Sequence, residues 1–372
     1  MRLESLQVRN FRNYEDLSLS FEKRLTFLTG QNAAGKTNLL EAAAMLSLGK
    51  SFRGAEDNDL LRDGTSGYHV SGKFLRGGQR NHIEINLDVS SGTLKRRIRL
   101  NEKVVSGRGA IIGQLLCVIF SPADLTIVEG APAERRKFID STLASMDGVY
   151  LDNLVYYQKA LKQRNSLLKR IRERKASLGD LSVWESRLCE YAARLWEGRG
   201  RFIEDFSISF AGALEQISGS RDAIQIKVTN PHMHDLAGSM ARHRERDLRV
   251  GFTSCGPHRD MIQLQRAGKD IMQFGSQGQK RTAALALRIG QFDYLKRTTG
   301  FTPVLLIDDV IRELDASRRS AFVELLRKSG QAVFTTPDLD GIDAQFGELL
   351  TSSSVLSVES GGRIVEVHGP PR

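Results

Sequence analysis

Residues 30–37 read Gly-Gln-Asn-Ala-Ala-Gly-Lys-Thr, between an apolar run ending at Thr29 and apolar residues at helical spacing (Leu39, Ala43, Leu46). A Gly-x4-Gly-Lys-Thr string in strand–turn–helix context is the pattern of a phosphate-binding loop. Its glycines allow successive backbone N–H groups to converge on one anion, and the following helix adds the positive end of its dipole. Lys36 then reaches the outer phosphates of a nucleoside triphosphate, and the Thr37 hydroxyl is placed to ligate Mg²⁺. Gly30, Gln31, Asn32, Ala33, Ala34, Gly35 and Asn38 complete the expected nucleotide contacts. Few folds accommodate this element, and all are α/β.

Such a loop needs a carboxylate at the end of a buried strand. Pro303-Val304-Leu305-Leu306-Ile307-Asp308-Asp309 supplies one: Asp308 is expected to hold the metal, and Asp309 to orient or deprotonate the attacking water. About 270 residues separate Lys36 from Asp308, more than a compact GTPase-like or kinase-like domain needs. No guanine-reading Asn-Lys-x-Asp is present. ATP is favoured over GTP.

Ser276-Gln277-Gly278-Gln279 opens a long helical pattern. Ser276 is a natural N-cap, and Gln279 three residues on completes a capping box. Ser-x-Gly-Gln at a helix start, upstream of the acidic strand, resembles the signature motif of ABC-type ATPases. In that class the serine and helix N-terminus grip the γ-phosphate bound to the opposite subunit, which assigns roles to Ser276, Gly278 and Gln279. Glu313-Leu314-Asp315 matches the loop that crosses the dimer seam, so Asp315 joins the expected site.

Elsewhere the pattern is mixed. Val70 to Val105 alternates with period two and reads as an antiparallel meander with turns at Gly77-Gly78 and Ser91-Gly92. Leu116 to Phe120 reads as a buried strand. Leu151 to Leu178 and Leu181 to Phe206 read as two amphipathic helices joined at Gly179-Asp180, a short hairpin. The expected architecture is an ABC-type ATPase head, a P-loop mixed sheet with an antiparallel meander, interrupted by a helical lobe. Its N-terminal part spans 1–131, the lobe 132–250, and the C-terminal part 251–372.

Net charge is +10 and the pI is near 9.6, a bias that suits a polyanionic partner without identifying one. The basic clusters are Lys95-Arg96-Arg97, Lys169 to Lys175 and Arg242 to Arg249. The three cysteines are scattered and read as reduced thiols. No signal-peptide pattern opens the chain, and the longest apolar run, Leu115 to Phe120, is too short to cross a bilayer. A cytoplasmic location is expected.

Val8 to Tyr14, the loop itself, Phe120 to Leu125, Gly130 to Asp140, Gly256-Pro257-His258-Arg259-Asp260 and Ser276 to Arg281 together resemble the RecF family. The resemblance implies an ATP-dependent homodimer with slow, DNA-stimulated hydrolysis that binds duplex DNA beside single-stranded gaps. It also implies cooperation with RecR and RecO in loading RecA. By position, Arg12 corresponds to an arginine that contacts nucleotide phosphates in SMC-like heads, Asn32 can approach the γ-phosphate, and Asp309 stands where many ABC ATPases carry glutamate. Arg312, Ser254-Cys255 and Met261 depart from the pattern, and Thr335-Thr336-Pro337 lacks a switch histidine. His258 and Arg259 either touch DNA or stabilise a turn. The helical lobe is too short for an SMC- or Rad50-like tether, and nothing after residue 340 suits an appended nuclease. The basic pI argues against a transporter subunit.

Overall fold

The computed structural model describes residues 1–90, 92–219, 224–311, 314–339, 346, 349, 352–359 and 361–367. Arg312 and Glu313 lie outside the described residues. The chain divides into two compact units: Met1–Asp124, Glu215–Ser220 and Leu285–Arg372 form the first, and Leu125–Leu214 with Arg221–Ala284 the second.

In chain order the elements begin with β1 (Arg2–Phe11), β2 (Tyr14–Ser20), β3 (Leu25–Thr29) and α1 (Lys36–Leu48). There follow β4 (Gly67–Arg76), β5 (Gln79–Asp88), β6 (Lys95–Leu100), β7 (Lys103–Val105) and β8 (Cys117–Phe120). The next stretch holds α2 (Leu125–Glu129), α3 (Pro132–Ala144), α4 (Gly148–Arg172), α5 (Leu181–Ser218), β9 (Ile224–Thr229) and α6 (Leu236–Val250). Then come β10 (Met261–Arg266), β11 (Lys269–Asp270), α7 (Ile271–Phe274) and α8 (Gln277–Thr299). The chain closes with β12 (Val304–Asp308), α9 (Ala316–Lys328), β13 (Gln331–Thr335), β14 (Ser354–Val358) and β15 (Ile364–Val367).

The first unit contains two sheets. One has the order β2-β1-β4-β5-β6-β7 and is antiparallel throughout. The expected meander is its larger part. The other has the order β15-β14-β3-β13-β12-β8, parallel except for the final β14–β15 pair. Strands β3, β12 and β13 are buried at every position, as apolar runs in parallel sheets covered on both faces must be. Helix α1 contacts strands of both sheets, and residues 39–47 are buried all round it. A single apolar cluster joins Leu3, Val8, Val70, Ile83 and Ile98 to α1 and to Leu306 and Val333.

The second unit is mainly helical, with a small sheet β11-β10-β9. Its first long helix ends at Arg172 rather than Leu178, because Arg174 adopts a left-handed φ of 60° and Ser177 with Asp180 caps the next turn. The following helix runs on to Ser218, well past Phe206, since Phe202, Phe206 and Phe210 continue one buried stacked row. The buried strand before Ser121 starts at Cys117. Among the described residues no helix is long and apolar enough to cross a membrane.

Candidate functional site

The loop between β3 and α1 is shaped by backbone geometry. Gly30 has φ 135° and Gly35 φ 111°, regions that side chains rarely adopt. A Cβ on Gly30 would collide with the carbonyl oxygen of Val358, and one on Gly35 with the side chain of Asn13. Gln31, Asn32 and Ala33 form an exposed rim, and Ala34 is buried. Helix α1 carries no acid of its own in its first turn, so the positive end of its dipole is left to anions from outside the helix. The Lys36 ammonium donates to Gly30 O at 2.5 Å and Gln31 O at 2.8 Å. Burial lowers its pKa, while Asp309 and Asp308 pull it back up. These features fit a bound polyphosphate: a loop bounded by two positive-φ glycines, a helix N-terminus and a cation with two carboxylates beside it.

The acidic strand meets the loop at Thr37. Its hydroxyl donates to Asp308 Oδ1 at 2.7 Å, and Thr335 Oγ1 donates to the same oxygen at 2.8 Å. A hydroxyl and a carboxylate sharing one corner are the hard oxygen donors that Mg²⁺ accepts while keeping water and phosphate oxygens. Asp309 follows with φ 48°. Its backbone N–H donates to Thr335 Oγ1 at 3.1 Å, and its carboxylate raises the Lys36 pKa. Thr335 therefore buttresses both acids from the strand end that lacks a histidine.

Sequence reasoning singled out Asn38 but assigned no role at the loop to the side chains of Asn13 and Tyr14. Asn13 Nδ2 donates to Ala34 O at 3.0 Å, Asn38 Nδ2 donates to Asn13 Oδ1 at 2.8 Å, and the Tyr14 hydroxyl donates to Gly35 O at 3.0 Å. Burial raises the Tyr14 pKa and keeps it a donor. The signal available was the adjacency of two hydrogen-bonding residues at a hairpin turn. Arg12, at φ 55° in that turn, is paired with Glu41 through Nε at 3.0 Å and Nη2 at 3.1 Å.

The other expected residues are placed as follows. Ser276 is exposed, accepts from Gln279 N at 3.3 Å, and donates its own N–H to Gln279 Oε1 at 2.9 Å. The capping box is formed at the start of the 23-residue helix α8. Ser276, Gly278 and Gln279 belong to the second unit, whereas the loop and Asp308 belong to the first. Asp315 caps α9, accepting from Arg318 N, and that hydrogen bond lowers its pKa. His258 accepts or donates through Nδ1 to the Tyr157 hydroxyl at 2.6 Å and through Nε2 to Thr253 O at 3.0 Å. A carbonyl only accepts, so Nε2 carries the proton and Nδ1 takes the Tyr157 hydrogen. Burial pushes the His258 pKa down to about 4. His258 thus stabilises its turn, and exposed Arg259 lies over the Phe252 ring at 5.2 Å.

Residues 2–338 match the family model described as the RecF/RecN/SMC N-terminal domain. The chain is 40% identical to the DNA replication and repair protein RecF of Leptospira interrogans, over 97% of this chain and 98% of that one. It resembles the solved structure of the recombination mediator protein RecF-ATPrS in the RecFOR pathway, with TM-score 0.87, 30% identity and 98% of each chain covered. The RecF-ATP structure matches with TM-score 0.86 and 30% identity, over 98% of this chain and 97% of that one. The chain belongs to the RecF family and carries the ABC-type ATPase head that the family shares with SMC proteins.

Proposed function

We propose that this chain is an ATP-driven, DNA-binding switch of recombinational repair and replication restart. The observation that carries the reading is the junction of Thr37 and Asp308, 271 residues apart and 2.7 Å from each other, beside a buried lysine at a helix N-terminus. In this reading Lys36 and the backbone of residues 30–37 bind ATP, and Thr37 and Asp308 hold Mg²⁺. A bound Mg²⁺ supplies charge neutralisation at the β- and γ-phosphates. Asp309 orients the attacking water and accepts its proton. With one methylene less than glutamate it reaches that water less well, which suits slow, DNA-stimulated turnover.

Ser276, Gly278 and Gln279 are assigned to the nucleotide held by a second copy of the chain, with Asp315 near the seam, so that ATP drives dimerisation. What supports this is the exposed, fully capped start of α8. Duplex DNA beside single-stranded gaps is the proposed substrate, in the cytoplasm, with RecR and RecO as partners and RecA loading as the outcome; the names of the relatives and the charge of +10 support it. Analytical sedimentation with and without ATP and a gapped duplex tests both couplings. A dimer that forms with ATP and not with Ser276→Arg supports the sandwich. Sedimentation unchanged by ATP and DNA together would reject it.

A further inference from the structure

Glu41 lies on α1 just beyond the phosphate loop, and its side chain is fully buried. A carboxylate in such a place is costly unless paired. Two segments pair it. From the β1–β2 turn, Arg12 donates to both oxygens at 3.0 and 3.1 Å. From the segment after α1, the Ser51 hydroxyl donates at 2.5 Å, and Arg53 Nη1 stands 3.8 Å away.

Within these contacts one carboxylate meets two guanidiniums, so the Arg12–Glu41–Arg53 trio carries a net positive charge. Arg53 also reaches Asn38 Oδ1 at 3.4 Å, Asn38 donates to Asn13, and Asn13 donates to Ala34 O. An unbroken chain of contacts thus runs from Glu41 to the backbone of the loop. Arg12 is held further by Nη1 donating to Asp59 O at 2.8 Å, and its left-handed φ is one that a non-glycine residue keeps only when its surroundings over-determine it.

We infer that Glu41 is a positioning residue: it holds Arg12 and Arg53 on the outer wall of the phosphate loop so that their surplus charge faces the phosphates of the bound nucleotide. The inference rests on the nucleotide-binding reading of that loop. A phosphate oxyanion is the chemistry recognised. A nucleotide and a DNA backbone both present it, and the contact chain ending at Ala34 favours the nucleotide.

Calorimetric titration of the full chain with ATP, and separately with a duplex lacking nucleotide, tests this. Glu41→Gln keeps the shape and removes the charge. It should weaken ATP binding about tenfold or more, the scale of a lost charged hydrogen bond, and leave duplex affinity within about twofold. Arg12→Gln should do the same, and the double variant should bind no worse than the weaker single one, because both remove one contact. Ser51→Ala, a milder change, should weaken ATP binding by about threefold. A Glu41→Gln protein that melts and binds ATP like the wild type would overturn the inference. So would losses that multiply in the double variant, or a loss of duplex affinity instead of ATP affinity. If Glu41→Gln does not fold, an unchanged ATP affinity in Ser51→Ala overturns it alone. Lys36→Met separates the two readings: wild-type ATP binding there rejects the loop itself, whereas loss there with none at Glu41 rejects only the positioning role.

Discussion

In the first unit, Lys36, Thr37, Asp308 and Asp309 are gathered at one end of a parallel sheet, with two adjacent acids and a lysine held by loop carbonyls. In the second, arginines are buried in multidentate ion pairs. Arg199 (4% exposed) donates to both oxygens of Asp140 and to Asp260, while Trp196 and Asn230 also donate to Asp260. Arg164, fully buried, meets Glu185, Asp247 and Thr253. The same residue types serve opposite ends. The first cluster sets one lysine and two carboxylates around a glycine-bounded loop. The second pairs Arg164 with Glu185 and Asp247 and Arg199 with Asp140 and Asp260, and so ties α3, α4, α5 and α6 to the Gly256–Asp260 turn. Substitutions should therefore cost function in the first unit and stability in the second.

The sharpest way to break this contrast is Arg199→Met. Removing one partner from a buried ion cluster costs about 3–5 kcal/mol, so denaturant unfolding should move by that amount, while ATP affinity of the folded protein stays unchanged. A loss of ATP affinity without loss of stability would erase the distinction. Next in size is Asp309→Asn. Single-turnover hydrolysis should fall at least about a hundredfold, the scale for a general base, with a melting temperature close to the wild type; a large drop in melting temperature would make Asp309 structural.

Protonation sharpens the comparison further. His258 stays neutral in the fold to about pH 4, whereas in the unfolded chain it titrates near 6.5. Between those values the unfolded state binds the extra proton, so stability is fully present above about 6.5 and is lost as pH falls towards 4. The share lost between pH 7 and pH 5 is about 2 kcal/mol. His258→Gln should flatten the stability profile of the second unit in that window, and an unchanged profile would mean that the ring is not buried neutral. Tyr157→Phe removes only the hydrogen bond to Nδ1 and should cost about 1 kcal/mol, measured by the same unfolding.

The two regions also differ in how far they were legible. The phosphate loop, the acidic strand and the Ser276 capping box are contiguous strings whose backbone demands fix residue type and spacing. Asn13, Tyr14, Glu41 and Thr335 act on the same site through side-chain hydrogen bonds to segments distant in sequence, and such bonds leave no local periodicity. Arg164 and Arg199 are harder still. In sequence they sit on polar-looking stretches of helix, and only the tertiary position of Asp247 and Asp260 shows them to be core. The end of α4 at Arg172 was missed for a related reason: residues 173–178 keep helical composition, and the left-handed turn at Arg174 is stabilised by contacts outside the pattern.

The strand order β15-β14-β3-β13-β12-β8 has a consequence for synthesis. Strand β3, which launches the phosphate loop, lies between β13 and β14 in that sheet, and Gly30 donates its N–H to Pro337 O. On the ribosome the loop strand emerges early and waits for partners encoded some 300 residues later. At about 5–20 residues per second that wait lasts tens of seconds. The antiparallel neighbours β1, β2 and β4 to β7 are complete within the first third of the chain, so a nascent polypeptide holds a finished meander beside an unpaired apolar strand. Asp308, which meets Thr37 at the loop, and Thr335, which donates to Asp308, are encoded equally late, so the loop and its acidic partner come together only near the end of synthesis.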